Sequence, residues 1–242
     1  MKINKNLTAC NYTCYKNKIN KYIVIHYTAN NGDTAYGNTV YFKSTYRGAS
    51  AHYFVDDCSK WQCVEDYNAA WHCGANKYYC DCRNSNSIGI ELCSRKKSNG
   101  EYYFTKETIM NAVELTVYLM KKYNIPLSNV IRHYDVTRKE CPRPFVRDEK
   151  QWADFLKQVQ KQIKIEEDEE MIKELVDTYG ENAVRKALVK LIETVNDDGN
   201  PASWAEPELK EAIKEGLTDG TNPEMFATRQ EVALMVHRAL NK

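Results

Sequence analysis

Five short runs of the chain carry the residue pattern of buried or half-buried strands. They are rich in β-branched and aromatic residues and are bounded by turn-forming or polar positions. The predicted strands lie at residues 22–27, 50–55, 63–67, 88–93 and 128–133, and the second and third of them are expected to form a hairpin. In the fourth run a period of two places Ile88, Ile90 and Leu92 on one face, and Gly89, Glu91 and Cys93 on the other.

Apolar residues recur at helical spacing in two long stretches. The first starts at Thr105 and ends near residues 124–126, and the second follows Asp148, which can cap it. A shorter helix is predicted over residues 39–46. The inward-facing residues predicted for the long helices are Ile109, Ala112, Val113, Thr116, Val117 and Met120, then Trp152, Phe155, Leu156, Val159 and Ile163.

Beyond residue 163 the character of the chain changes. The acidic run at 166–170 has the composition of a solvated linker, and the residues after it predict only helices. One or two helices are expected over 171–195, with a possible break at Gly180, and capping boxes at Ser203 and Thr228 open two more. The sequence therefore predicts a first domain at 1–163, a linker at 164–170 and a helical module at 171–242.

The net charge of +1 conceals two parts of opposite sign. Residues 1–163 carry a net charge of +9 and residues 164–242 a net charge of −8. A basic first part fits an anionic partner, and both nucleic acid and bacterial wall polymer qualify. Zinc-finger spacing and glycine-aromatic RNA motifs are absent from the sequence, so nucleic acid is not favoured.

Neither a membrane span nor a secretory signal is predicted. No apolar run is long enough to cross a bilayer, so membrane insertion is not expected. The first six residues are polar and lack the apolar segment of a signal peptide. We therefore expect synthesis in the cytoplasm, with another route to any site of action outside it.

Nine cysteines leave their chemical state open. The odd number and the missing signal argue against a fully paired secreted scaffold. Buried free thiols, paired cysteines, and a second metal site at Cys73, Cys80 and Cys82 all remain possible. The eight cysteines outside the candidate site below are Cys10, Cys14, Cys58, Cys63, Cys73, Cys80, Cys82 and Cys93.

The segment at 130–142 contains the strongest candidate chemistry. His133 and Cys141 lie eight residues apart, and imidazole with thiolate is a donor set suited to Zn²⁺. A zinc site needs a further ligand, and His26 at the end of a predicted strand is the best candidate. The alternative is a structural histidine beside a free thiol.

Two further positions carry candidate chemistry. Glu91 is a carboxylate within an apolar strand, which is costly unless it is paired or near a metal, so it is a candidate general base. A salt bridge is the alternative. Trp71 and His72 could bind substrate through an indole face and an imidazole hydrogen bond, or could be a core Trp with an incidental His.

Five segments together resemble the zinc-dependent N-acetylmuramoyl-L-alanine amidases related to peptidoglycan recognition proteins. The resemblance covers residues 20–145 in the order and spacing of that family, through segments 23–28, 50–53, 70–72, 88–92 and 133–142. It implies an α/β fold, with a central mixed β-sheet flanked by helices. The implied reaction is hydrolysis of the amide between N-acetylmuramic acid and L-alanine in peptidoglycan.

Residue by residue, the resemblance implies a complete site. His26, His133 and Cys141 are the implied ligands of one Zn²⁺, Glu91 the general base, and Lys139 a lysine that aids the transition state. Some members have a catalytic tyrosine where this chain has Ala51, so the chain resembles the branch that uses glutamate. His52 is expected to be structural or to support the site rather than to bind metal.

The last part of the chain, roughly 200–242, resembles surface-layer-homology-like repeats of clostridial phage lysins and wall hydrolases. The resemblance implies binding of a secondary wall polymer, or self-association into a homo-oligomer through the helices. Together with the missing signal it implies a phage or prophage endolysin released to the wall by a holin. A host autolysin and a non-catalytic peptidoglycan-binding module are the alternatives.

Overall fold

A computed structural model describes residues 1–192 of the chain, and the side chains of residues 1–186. Two units are distinguished, Met1–Ile163 and a second from Lys164 onward. The strands of the described part are β1 (Asn4–Lys5), β2 (Tyr12–Thr13), β3 (Tyr22–Tyr27), β4 (Tyr53–Val55), β5 (Lys60–Gln62), β6 (Ala69–Ala70), β7 (Ser87–Leu92), β8 (Arg95–Lys96), β9 (Tyr102–Tyr103) and β10 (Val130–Arg132). The helices are α1 (Ala35–Lys43), α2 (Lys106–Tyr123), α3 (His133–Thr137), α4 (Arg143–Arg147), α5 (Glu149–Tyr179) and α6 (Glu181–Ile192).

One mixed sheet organises the first unit. Its strand order is β1-β5-β4-β7-β3-β10. The strands β4, β7, β3 and β10 are mutually parallel, while β5 runs antiparallel to β4 and parallel to β1. Two small antiparallel pairs, β2 with β6 and β8 with β9, lie outside this sheet. The predicted α/β fold with a central mixed sheet is thereby confirmed.

Helices cover both faces of the sheet. On one face Ile23, Ile25, Ile88, Ile90 and Leu92 pack against residues of α2 and α5. The inward faces predicted for these two helices are confirmed, since most of the predicted residues are buried and the others are half-buried against the core. On the other face α1 covers β4, and α3 covers β3 beside the buried Val24 and Val136.

The predicted strand at 63–67 is wrong, because the hairpin turns earlier than expected. The Asp56 carboxylate accepts hydrogen bonds from the backbone N–H groups of Cys58 (2.9 Å) and Ser59 (2.6 Å). Aspartate favours such a turn because its side chain can accept hydrogen bonds from nearby backbone N–H groups. The return strand β5 therefore begins at Lys60. The buried Lys60 ammonium is satisfied by Glu114 (2.6 Å) and Asn111 (2.8 Å), so a polar strand residue is tolerated there.

Caps explain the helix boundaries. Thr34 caps α1 by accepting from the N–H of Gly37, so this helix spans 35–43 rather than the expected 39–46. Thr105 caps α2, and Asn124 in the left-handed region (φ 52°) ends it. The expected cap at Asp148 is confirmed, because its carboxylate accepts from the N–H groups of Lys150 and Gln151.

The acidic run at 166–170, predicted as a linker, is helical. It lies within α5, which continues from Glu149 to Tyr179. No Gly or Pro interrupts these residues, and Glu and Lys are good helix formers. Gly180 (φ 83°) separates α5 from α6, so of the two alternatives left open by the sequence, one helix or two, the break at Gly180 is the one observed.

The remaining C-terminal predictions lie outside the described residues. These are the end of the helical stretch at 193–195, the two capping boxes and the helices that they open. Among the described residues, no helix combines the length and the apolar character needed to cross a bilayer.

Candidate metal centre

Three parallel strands bring the candidate side chains to one level of the sheet. In β3, His26 is paired directly with Glu91 of β7. On the other side, β10 pairs Arg132 with Ile25, so the next residue, His133, emerges beside His26. Because the strands are parallel, these positions share the carboxyl end of the sheet, where open α/β folds bind ligands. His26 and His133 are both almost fully buried, with their ring centroids 4.7 Å apart.

The loop after α3 folds back and delivers Cys141 to the same place. Arg138 ends the helix in the left-handed region (φ 66°), with its N–H bonded to the Tyr134 carbonyl. The N–H of Tyr134 in turn donates to the carbonyl of Cys141 at 2.8 Å. This closed loop explains how two residues eight positions apart reach one site.

The donor atoms of His26, His133 and Cys141 converge as a metal site requires. They lie within 4.8 Å of one another, and Cys141 Sγ is 3.7 Å from His26 Nδ1. Tetrahedral zinc with ordinary Zn–N and Zn–S bonds places such donors roughly 3.5 Å apart. His133 Nδ1 is sealed from solvent with no hydrogen-bond partner among the described residues. A buried histidine with an unpartnered ring nitrogen, beside a thiol and a second imidazole, fits Zn²⁺.

Burial sets the protonation of the three donors. It lowers the pKa of His26 well below its usual value and that of His133 to about 3, so both imidazoles are neutral at pH 7. Burial, with the nearby charge of Glu91, raises the pKa of the Cys141 thiol to about 12. The thiol therefore keeps its proton until a cation replaces it.

Glu91 stands beside the three donors on the neighbouring strand. Its Oε2 is buried and lacks a hydrogen-bond partner among the described residues. Burial raises the pKa of this carboxyl to about 8, and the charge of Lys139 opposes the rise. The salt-bridge alternative for Glu91 has no support in the ion pairs of the described side chains. A partly buried carboxyl with one sealed, unpartnered oxygen, beside three candidate metal donors, has the properties of a proton acceptor.

Lys139 lies at the exposed edge of the same site. Its charge lowers the pKa values of His26, His133, Glu91 and Cys141. The ammonium group is therefore near all four side chains while the residue itself is exposed. It can offer positive charge to a bound molecule without being a ligand.

The side chains of Trp71 and His72 lie in different environments. The Trp71 indole is half-buried, donates to Thr13 Oγ1 at 2.8 Å and lies 5.8 Å from the exposed ring of Tyr46. His72 is only 7% exposed, and its Nδ1 lies 3.0 Å from His26 Nε2. Of the two, Trp71 has an accessible aromatic surface, while His72 contacts a candidate ligand from behind.

His52 is fully buried and stays outside the donor group. The N–H of Gly89 donates to His52 Nδ1 at 3.0 Å, and His52 Nε2 lies 3.1 Å from the Asn68 carbonyl. These bonds tie β4 and the loop before β6 to β7. The arrangement agrees with the expected supporting role.

Sequence reasoning assigned no role to Asp135, and the structure supplies one. Its carboxylate accepts from the Arg132 N–H (2.8 Å) and pairs with the Arg132 guanidinium (2.9 Å). The same guanidinium donates to the Phe145 carbonyl and to Glu149. Asp135 therefore fixes the turn from β10 into α3, where His133 begins.

Gly89 and Ser87 were also missed as contributors to the site. A Cβ atom at position 89 would lie 2.6 Å from Cγ of His72, so only glycine leaves room for that ring. The Ser87 hydroxyl lies 3.1 Å from His72 Nε2. Glycine inside an apolar strand is the sequence signal that could have indicated this close approach.

All nine cysteines are free thiols. Cys73 and Cys82 are buried beside Val24, and the Cys73 thiol donates to Asn84 Oδ1 at 3.2 Å. Among the residues described here, only His26, His133 and Cys141 form a group of three or more donors close enough for one metal ion. The hypothesis of a second site at Cys73, Cys80 and Cys82 is therefore not supported.

The comparisons with known sequences all indicate the same family. The profile of N-acetylmuramoyl-L-alanine amidases matches residues 15–144, more than half of the chain. A probable N-acetylmuramoyl-L-alanine amidase of Bacillus licheniformis is 38% identical over 148 residues, which are 57% of this chain and 41% of that protein. The chain thus spans about two fifths of the length of these curated relatives.

Solved structures agree with the fold. The catalytic domain of XlyA is 29% identical with a TM-score of 0.56, and the match covers 66% of this chain and 99% of that domain. A mutant endolysin from Bacillus subtilis is 30% identical with a TM-score of 0.55, covering 65% of this chain and 98% of the other. From the matched profile, these relatives and the shared fold, we conclude that the chain belongs to the N-acetylmuramoyl-L-alanine amidase family.

Proposed function

We propose that this chain hydrolyses the amide bond between N-acetylmuramic acid and L-alanine in peptidoglycan, and that it needs one Zn²⁺ to do so. The observation that carries the proposal is the convergence of three buried donors beside Glu91, a partly buried carboxyl whose Oε2 is sealed and without a hydrogen-bond partner. Membership of the amidase family supplies the bond and the polymer. His26, His133 and Cys141 would hold the ion. When bound, Zn²⁺ lowers the pKa of water and polarises the carbonyl under attack.

Glu91 would move the proton of the reaction. Its carboxylate takes a proton from the attacking water and passes it to the nitrogen of the leaving L-alanine. A carboxyl whose pKa is raised toward neutrality is suited to both steps, since it accepts and releases a proton near pH 7. The pairing of Glu91 with His26 across two strands holds the acid–base group at a fixed distance from a ligand.

Lys139 would counter the negative charge that develops on the carbonyl oxygen. Its exposure leaves the ammonium free to reach substrate, and its proximity to the donors directs it to the reacting centre. A donor of this kind is typically worth about 3 kcal/mol in the transition state. Trp71 could pack against a sugar ring at a more distant part of the substrate.

A cysteine peptidase, with Cys141 as nucleophile and His133 as base, is not supported. A nucleophilic cysteine needs a lowered pKa, whereas burial raises that of Cys141 to about 12. A module that binds peptidoglycan without cleaving it would not need the buried carboxyl beside the donors. We therefore favour hydrolysis.

The biological role that fits best is that of an endolysin, because a solved relative with 30% identity is described as one. The basic charge of residues 1–163 suits an anionic wall. For residues 171–242 we propose, from the sequence pattern, binding of a secondary wall polymer or self-association. A phage or prophage of a clostridial host is the proposed origin.

The proposed bond is tested by identifying the new chain ends in digested walls. Purified peptidoglycan is incubated with the zinc-loaded full chain, and new reducing ends and new amino termini are measured in the same sample. We expect new L-alanine amino termini and no new reducing ends. Reducing ends would indicate a glycosidase, other amino termini an endopeptidase, and no new ends a binding module.

A further inference from the structure

Behind the metal donors, a chain of three buried side chains begins at the candidate ligand His26 and continues through His72 and Ser87, which the proposed reaction does not use. His26 Nε2 lies 3.0 Å from His72 Nδ1, and His72 Nε2 lies 3.1 Å from the Ser87 hydroxyl. The hydroxyl donates to the Arg83 carbonyl at 2.6 Å. Each link has hydrogen-bond geometry, and all three side chains are at most 7% exposed.

The direction of every hydrogen bond in this chain follows from its last link. A carbonyl oxygen only accepts, so the single proton of Ser87 points to Arg83. Ser87 Oγ must then accept from His72 Nε2–H. A neutral imidazole protonated on Nε2 has a lone pair on Nδ1, so His72 accepts from His26 Nε2–H.

The consequence appears at the metal-facing side of His26. With its proton on Nε2, His26 has a lone pair on Nδ1, the atom that lies 3.7 Å from Cys141 Sγ. Metal-binding histidines are commonly held in this way by a partner on the other ring nitrogen, which fixes the tautomer and the ring orientation. We propose that His72 is a positioning residue that sets His26 in its metal-binding tautomer.

Strand β7 provides the space in which the His72 ring packs. A Cβ at position 89 would approach Cγ and Nδ1 of His72 to 2.6 and 2.8 Å, so Gly89 permits the ring to lie against the strand. Two residues earlier, Ser87 supplies the end of the hydrogen-bond chain. Two residues later, Glu91 supplies the proposed base. One face of one strand therefore carries the support for a ligand and the acid–base group.

This inference rests on the proposed zinc site, yet part of its test needs no metal. In the metal-free full chain labelled with ¹⁵N-histidine, NMR distinguishes the protonated from the unprotonated ring nitrogen. We expect His26 to carry its proton on Nε2 and His72 to carry its proton on Nε2. A wild-type protein with the His26 proton on Nδ1, or with both tautomers exchanging freely, would overturn the proposal.

Two variants separate hydrogen bonding from packing. His72→Phe keeps a ring over Gly89 but removes the acceptor, whereas His72→Gln keeps an acceptor for His26 Nε2–H. Zinc dissociation constants are measured by competition with a chromophoric chelator, and thermal unfolding of the metal-free proteins reports on packing. We expect the constant to rise about 10- to 100-fold for His72→Phe and to stay nearer the wild-type value for His72→Gln.

Equal zinc affinity in wild type and His72→Phe would overturn the positioning role. So would equal losses in both variants, because a purely structural role gives no reason for rescue by glutamine. The wild-type tautomer measurement remains decisive if a variant fails to fold. None of these results depends on which peptidoglycan bond is cut, so failure here and failure of the proposed function are distinguishable.

Discussion

Single residues at the centre are held in states that water alone would not favour. A buried imidazole, thiol or carboxyl loses solvation, which shifts its pKa in the direction that favours the neutral form of the group. The pKa of the His133 imidazole is lowered to about 3, and the pKa of the Cys141 thiol is raised to about 12. These neutral, desolvated donors can bind a cation. Its binding restores the electrostatic stabilisation that the donors lose on burial.

The role of Glu91 is tested by replacing it with the amide of the same shape. Glu91→Gln removes the proton acceptor but keeps the volume, so we expect zinc affinity to stay unchanged and kcat to fall about 10²- to 10⁴-fold. The rate of L-alanine amino-terminus release and the zinc content are measured together. Glu101→Gln, at an exposed ion pair with Lys97, is the matched control and should keep full activity. Full activity in Glu91→Gln would remove Glu91 from the reaction.

Zinc binding is predicted to release one proton from Cys141. Its thiol is protonated below a pKa of about 12, while His26 and His133 are already neutral at pH 6.0. Because the ion binds the thiolate, zinc affinity should rise about tenfold per pH unit as pH increases.

Calorimetry at pH 6.0 in buffers of different ionisation enthalpy counts the released protons. At this pH a coordinated water remains largely protonated, so it adds little to the count. Cys141→Ser serves as the reference, and the wild type should release one proton more. No proton release from the wild type would mean that the thiol is not a ligand.

Secondary-structure elements explain why distant residues meet. Parallel pairing of β7, β3 and β10 sets Glu91, His26 and His133 side by side, because equivalent positions of parallel strands lie at one level. The turn from β10 into α3 is then fixed by Asp135 and Arg132. The short parallel strands and this hydrogen-bonded turn therefore determine the positions of the side chains in the site.

Much of this arrangement could be predicted from the sequence. Apolar runs indicated β3, β7 and β10, and five segments in family order indicated the three donors, Glu91 and Lys139. The early turn at Asp56 could not be predicted, since it depends on a side chain competing for backbone N–H groups. The contact of His72 with His26 depends on long-range pairing and on a missing Cβ, which local periodicity does not encode.

The turn at Asp135 gives a prediction at this level. Asp135→Ala leaves the largely buried Arg132 with fewer acceptors and removes the bond at the start of α3, so we expect a loss of about 1–3 kcal/mol in the free energy of unfolding. Zinc should also bind more weakly, because His133 begins the same helix. Asp154→Ala, at an exposed position of α5, is the control for both measurements. Wild-type stability and zinc affinity in Asp135→Ala would show that this turn does not support the site.

The whole chain combines two parts of opposite charge. All candidate site residues lie within Met1–Ile163, which carries the net charge of +9. The solved catalytic domain of XlyA matches 66% of this chain, a share close to that unit. Chemistry and wall attachment are therefore expected to be separable.

A fragment of residues 1–163 tests this separation. It retains Trp152, Phe155 and Val159, the residues of α5 buried in the core. We expect hydrolysis of a soluble muramoyl-peptide with kcat/KM close to that of the full chain, since the site is complete. Lysis of intact walls should fall by about tenfold or more, because a second attachment is lost. Equal lysis by fragment and full chain would remove wall attachment from the role of residues 164–242.

The central claim is that one zinc ion held by His26, His133 and Cys141 makes this chain an amidase. The most direct test is a titration of the metal-free full chain with Zn²⁺ while L-alanine amino termini released from peptidoglycan are counted. The account predicts negligible release without metal, a linear rise with added zinc, and a plateau at one equivalent. Full activity in the metal-free protein, or no L-alanine at any zinc concentration, would contradict it.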